Sequence, residues 1–93
     1  MNSRNIIWPP VVREKLSQFR SEHFTPEETL NFIYQVVLET EELLKNKVVT
    51  QTYTEEYGDY RGLSRIIIRK FRVYFKRNKD DIIILAILFP GEK

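Results

Sequence analysis

From Leu63 onward the chain changes its hydrophobic period, and that switch limits the folds open to it. Upstream, Val12, Leu16 and Phe19 recur at spacings of four and three, which predicts a helix over about residues 10–21. Leu30, Ile33, Val37, Thr40 and Leu44 repeat the pattern and predict a second helix over about 26–46. Its start is marked by Thr25-Pro26-Glu27-Glu28. Thr25 can cap the first amides, Pro26 suits the first helical position, and Glu28 can reach back to close a capping box. Downstream the period is two, and Leu63–Arg69, Phe71–Arg77 and Asp81–Phe89 read as three successive strands. A short β-favouring run, Asn5 to Trp8, precedes the helices and stops at Pro9-Pro10. Val48 to Tyr60 has no clear period; residues 51–54 could extend as a strand, and Gly58-Asp59 signals a turn. The expected class is α+β: an N-terminal strand, a helical hairpin, then a three-stranded antiparallel meander with the helices on one face of the sheet.

Ninety-three residues suit one domain, expected to span 1–93. Cysteine is absent and His23 is the one histidine. No thiolate nucleophile, cysteine-ligated metal or multi-histidine metal site can be built, so neither metal nor cofactor is expected. His23 falls in the inter-helix break, away from the strand ends, and reads as a surface residue. The longest apolar run, Ile82 to Phe89, is eight residues. A membrane helix needs about 20, and no signal peptide is visible, so the expected setting is the cytoplasm with no membrane partner.

Net charge is only +2, but it is unevenly placed. Residues 1–60 carry six Lys/Arg against ten Asp/Glu, whereas 61–79 carry eight Lys/Arg and no acid. These are Arg61, Arg65, Arg69, Lys70, Arg72, Lys76, Arg77 and Lys79, interleaved with Phe71, Tyr74 and Phe75. Such a segment suits a phosphate-rich partner. It also suits a solvated strand face whose cations discourage edge aggregation. A two-residue turn at Arg69-Lys70 would pair Ile68 with Phe71, Ile66 with Val73 and Ser64 with Phe75 on an apolar face. Arg65 would then lie beside Tyr74, and Ile67 beside Arg72, on the other face. The turn lacks the usual Gly, Asn or Asp, and a longer loop would shift this register. A four-residue loop at Arg77–Asp80 would send Ile82, Ile84, Ala86 and Leu88 to the core. Ile83, Leu85, Ile87 and Phe89 would then share the arginine face, as an apolar patch for a protein partner.

The run Tyr60-Arg61-Gly62-Leu63-Ser64-Arg65-Ile66-Ile67-Ile68-Arg69-Lys70-Phe71-Arg72-Val73-Tyr74-Phe75 resembles the RelE/ParE toxin superfamily of bacterial type II toxin–antitoxin modules. The shared pattern is an arginine leading into a strand, an aliphatic triplet, a tight turn, then aromatic-Arg-Val-Tyr-aromatic. Asn78-Lys79-Asp80-Asp81 and the strand Ile82 to Phe89 complete it. The resemblance implies one of two activities: ribosome-dependent mRNA cleavage without metal, or non-catalytic inhibition of DNA gyrase. It also implies a cognate antitoxin, here expected on Ile83, Leu85, Ile87 and Phe89.

Metal-free RNA cleavage requires deprotonation of the ribose 2′-OH, stabilisation of the phosphorane and protonation of the leaving 5′-oxygen. Arg61, Arg65 and Arg72 are the phosphate candidates, because a guanidinium fork matches phosphate oxygens. Glu55 or Glu56 is the candidate base, lying where some nucleases of the resembled family use an acid. Arg65, Arg69, Lys70, Arg72, Tyr74, Lys76 and Arg77 are the expected nucleic-acid contacts. The structural alternatives are solvated loop acids for Glu55 and Glu56, packing for Tyr74, and a surface ion pair with Asp59 for Arg61. One departure is plain. The resembled nucleases often end the last strand with a His or Tyr as general acid, and Phe89 stands here without an ionisable proton. Either the acid comes from elsewhere, or the chain is a gyrase-type or attenuated member. A regulatory nucleic-acid-binding module on the same hairpin is the third reading, and it requires salt-sensitive binding.

Overall fold

The computed structural model describes residues 4–45 and 53–92. The expectation for residues 48–52 lies outside them. The elements run β1 (Asn5–Ile7), α1 (Pro10–Ser17), α2 (Pro26–Lys45), β2 (Tyr53–Thr54), β3 (Ser64–Ile68), β4 (Phe71–Asn78) and β5 (Asp81–Leu88). They form one five-stranded sheet in the order β1-β5-β4-β3-β2. β1 is parallel to β5, and every other pairing is antiparallel. The α+β class holds, with the two-residue β2 added beside the expected meander. Among the described residues no helix is long and apolar enough to cross a membrane.

The helices form where their end signals place them. At the start of α2 the Thr25 amide donates to the Glu28 carboxylate at 2.8 Å, and the Glu28 amide donates to Thr25 Oγ1 at 3.1 Å. This is the reciprocal capping box read from the sequence. At the other end the buried Arg4 guanidinium donates to the Leu44 carbonyl at 3.0 Å, satisfying an orphan acceptor of the last turn. α1 is shorter than its apolar spacing suggests. The amides of Gln18 and Phe19 turn back to the carbonyls of Lys15 and Leu16, a tighter turn that closes the helix.

Val12 and Leu16 of α1, and Val36 and Leu44 of α2, pack on Ile66, Ile68, Phe71, Val73, Phe75, Ile82, Ile84 and Ile87 of the sheet. The buried stripe of α2 is rotated from the expected one. Val36 is fully buried while Leu30 stays 72% exposed. Phe19, Phe32, Phe71 and Phe89 form an aromatic cluster, with ring centroids 5.1–5.9 Å apart in five of its pairs.

The β3–β4 register is the one expected from the two-residue turn: Ile68↔Phe71, Ile66↔Val73 and Ser64↔Phe75. Arg69 and Lys70 both have positive φ, 49° and 72°. That geometry suits the twist of a tight hairpin, and it strains a residue with a Cβ. Lys70→Gly should therefore raise stability by about 0.5–1 kcal/mol, a relief of strain partly offset by glycine's entropy. Thermal melting would show an increase of a few degrees; an unchanged or lower midpoint would refute the strain.

The β4–β5 pairing corrects the sequence expectation twice. Asn78 pairs with Asp81, so the turn is Lys79-Asp80 and not a four-residue loop. A bulge then breaks the alternation: Phe75 pairs with Ile84 but Tyr74 pairs with Ala86, leaving Leu85 as the extra residue. The extra residue inverts the facing of everything after it. Ile87 pairs with Val73 and is buried in the core, while Ala86 and Leu88 turn to the arginine face. Phe89 joins the aromatic cluster. Ile87 is thus a core residue and Phe89 packs half-buried against the core, so the exposed apolar patch loses both.

Candidate functional site

The face of the sheet away from the helices is built in cross-strand rows. Tyr53, Arg65, Tyr74 and Ala86 form one row across β2, β3, β4 and β5. Ile67, Arg72 and Leu88 form a second, and Ile7, Ile83 and Lys76 a third. Alternation alone puts Arg65, Arg72 and Lys76 on this face together.

The segment between β2 and β3 closes over it. The Glu55 amide donates to the Leu63 carbonyl at 2.9 Å, and the Gly62 amide donates to the Glu55 carbonyl at 2.8 Å. Gly62 takes a φ of 88°, a left-handed turn that a side chain would strain. The closed loop aims Glu55 and Tyr60 back at the sheet. Tyr74 Oη donates to Glu55 Oε2 at 3.0 Å, and Arg65 Nη1 lies 3.5 Å from the same oxygen. Arg65 also sits over the Tyr53 ring, 4.4 Å from its centroid, a cation–π contact. The rings of Tyr60 and Tyr74 are stacked at 4.4 Å. Tyr74 is only 2% exposed, so its ring is a wall of the site and its hydroxyl a tether for the carboxylate.

The remaining expected residues are distributed differently. Glu56 and Arg61 are exposed in the loop, and Lys76 is exposed on β4. Arg72 donates through Nη2 to the Glu92 carbonyl. The Glu92 carboxylate accepts from Lys15 Nζ at 2.8 Å and from the Phe89 amide at 2.8 Å. The chain beyond β5 is thereby folded back onto Arg72. Arg69 lies with the helices: its guanidinium makes a forked contact with Glu39 of α2, at 2.7 and 2.9 Å. Lys70 sits at the hairpin tip, and Arg77 pairs with the core residue Ile82 at the exposed end of β4. Arg69 and Arg77 therefore stand off the face that gathers Arg65, Arg72, Tyr74 and Lys76. Of the apolar patch, Ile83 and Leu85 remain accessible, joined by Ile7.

Tyr60, Tyr53, Lys15 and Glu92 join the site although no motif in the sequence marks them. Tyr53, Tyr57 and Tyr60 cluster before the strand run, and that density of tyrosine was the available signal.

Two carboxyls outside the central cluster are held below the ordinary range. Glu92 is lowered chiefly by the hydrogen bond from Lys15, then by that from the Phe89 amide. Glu39 is lowered chiefly by the hydrogen bond from Arg69. A depressed carboxyl contributes stability above its unfolded pKa and loses it as pH falls through the folded value. Both contributions should therefore be present at neutral pH and fade below about pH 4.5. The Lys15–Glu92 pair is partly solvated, so its share is at most about 1 kcal/mol. Melting of Glu92→Gln beside the unaltered protein should differ at neutral pH and converge in acid; a gap that persists in acid would count against the ion pair.

No family model matches the sequence, and no curated protein matches it. Solved structures do match the fold. The toxin–antitoxin complex RelBE2 from Mycobacterium tuberculosis contains a chain that superposes with a TM-score of 0.71 at 11% identity. The match covers 99% of this chain and 97% of that one. A chain of the chromosomal ParDE toxin–antitoxin system from P. aeruginosa superposes with a TM-score of 0.66 at 18% identity, covering 94% and 96%.

Proposed function

We propose that this chain, whose fold is RelE/ParE-like, is the toxin of a type II toxin–antitoxin module and cleaves mRNA on the ribosome. The observation that carries the reading is the shared oxygen of Glu55, reached by Tyr74 and Arg65 together. A candidate base and a candidate phosphate ligand meet at one point on a cationic face, with no metal required.

In this scheme Glu55 takes the proton of a ribose 2′-OH as that oxygen attacks phosphorus. Arg65 moves from the carboxylate to the phosphorane oxygens, where a guanidinium stabilises developing charge. Tyr74 keeps Glu55 oriented. Lys76 and Arg61 steer the backbone, and Arg72 joins them when its hold on the Glu92 carbonyl is exchanged for phosphate. Phe89 is packed among phenylalanines and gives no proton. The leaving 5′-oxygen is protonated by solvent or by the ribosome, and cleavage is correspondingly slow. The partner is a cognate antitoxin whose acidic segment covers the cationic face and whose apolar anchors rest on Ile83 and Leu85. The setting is the cytoplasm.

Toe-printing of a translated message after induction should reveal new ends that depend on the protein. Intact messages in growth-arrested cells would overturn cleavage. Phe89, half-buried and without a proton to give, favours one other reading, a non-catalytic gyrase inhibitor. Loss of supercoiling with purified protein, beside uncut messages, would establish it.

A further inference from the structure

A cleft of about 190 Å³ opens between α1 and the C-terminal half of β5, lined by Val11, Val12, Lys15, Tyr60, Leu85, Ala86 and Ile87. It exists because of the β5 bulge. Regular alternation would have set a larger side chain opposite Tyr74; the inverted phase sets Ala86 there and buries Ile87 in the core. The walls are mostly apolar; the polar groups among the lining side chains are the Tyr60 hydroxyl and the Lys15 ammonium, which Glu92 holds. Tyr60 belongs to both places, lining the cleft and stacking on Tyr74, whose hydroxyl holds Glu55. An enclosed apolar cavity of roughly 150 Å³ holds a benzene ring, and the volume of this open cleft is comparable.

We infer that the cleft is a nucleobase subsite, in which a base of single-stranded RNA next to the cleaved linkage lodges against Tyr60 and Val11. This rests on the RNA-cleaving reading above and deepens it. Stacking suits the chemistry of the place: every base has a π-face, and aromatic platforms beside cationic tracks are how proteins hold single strands. Tyr60 is a positioning residue in this scheme. By seating one base it sets where along the backbone Glu55 and Arg65 meet a phosphate.

The test is binding of a short fluorescein-labelled single-stranded RNA to the purified protein at low salt, read by anisotropy. Tyr60→Leu and Val11→Trp, the second crowding the cleft from outside the catalytic cluster, should each weaken binding roughly 5- to 100-fold. Tyr60→Phe should bind like the unaltered protein. The slope of log affinity against log salt should not change in these variants, because no phosphate contact is lost. An RNA with one abasic ribose at the lodged position should bind the unaltered protein weakly and should lose nothing further with Tyr60→Leu. Equal binding by Tyr60→Leu and Val11→Trp, or a reduced salt slope in either, would overturn the subsite while leaving cleavage intact. No binding by the unaltered protein would overturn the subsite too, and the cleavage map would then judge the wider reading separately.

Discussion

Glu55→Gln should reduce ribosome-dependent mRNA cleavage by about 10²–10⁴-fold, the usual contribution of a positioned general base. The substitution keeps the shape of the side chain and an oxygen to accept from Tyr74 Oη, so the tether at 3.0 Å can persist. What it removes is the proton acceptor and the negative charge beside Arg65. Melting should move little, since the Arg65–Glu55 pair is partly solvated and worth no more than about 1 kcal/mol. Toe-print intensity and growth after induction are the measurements. Undiminished cleavage by Glu55→Gln would reduce Glu55 to a structural clamp for Arg65 and Tyr74 and remove it from the mechanism.

The largest effect on stability is expected at Phe71, where Phe71→Ala should cost about 3–5 kcal/mol. Phe71 is fully buried, and its ring meets those of Phe19, Phe32 and Phe89. It therefore joins the turn after α1, α2 itself and the residue following β5 through one side chain. Truncation would leave a void between two helices and the sheet, and the rigid neighbours could fill only part of it. A small domain has about 0.05–0.15 kcal/mol of stability per residue, so this one loss is a large fraction of the total. Denaturant titration should show a much lower midpoint or no folded baseline. A loss below about 1 kcal/mol would mean that the aromatic cluster repacks freely, contrary to the close-packed interior described above.

Local signals in the chain were enough for most of the architecture. The capping box at Thr25–Glu28, the helical stripes and the period-two strands depend on residues a few positions apart. The β3–β4 register followed too, because a two-residue turn and an apolar alternation leave one pairing that buries Ile66, Ile68, Phe71 and Val73 together. That register alone placed Arg65 beside Tyr74 and Ile67 beside Arg72.

The bulge at Leu85 was not legible, since nothing in Ile82 to Phe89 distinguishes one uniformly apolar strand phase from the other. Its position follows from what each phase would bury: the helices and the phenylalanine cluster accept Ile87 and Phe89, and Ala86 is then left opposite Tyr74, beneath the cleft. Partner choice among charges was likewise hidden. Arg69 turns to Glu39, Arg72 to the Glu92 carbonyl and Arg65 to Glu55, each across 10 or more positions of sequence. Which residues form strands and helices, and which cations share a face, are consequences of short-range period and can be read along the chain. Which of those cations meets a carboxylate, and where a cleft opens, depends on contacts between distant segments that the packing of the core brings together.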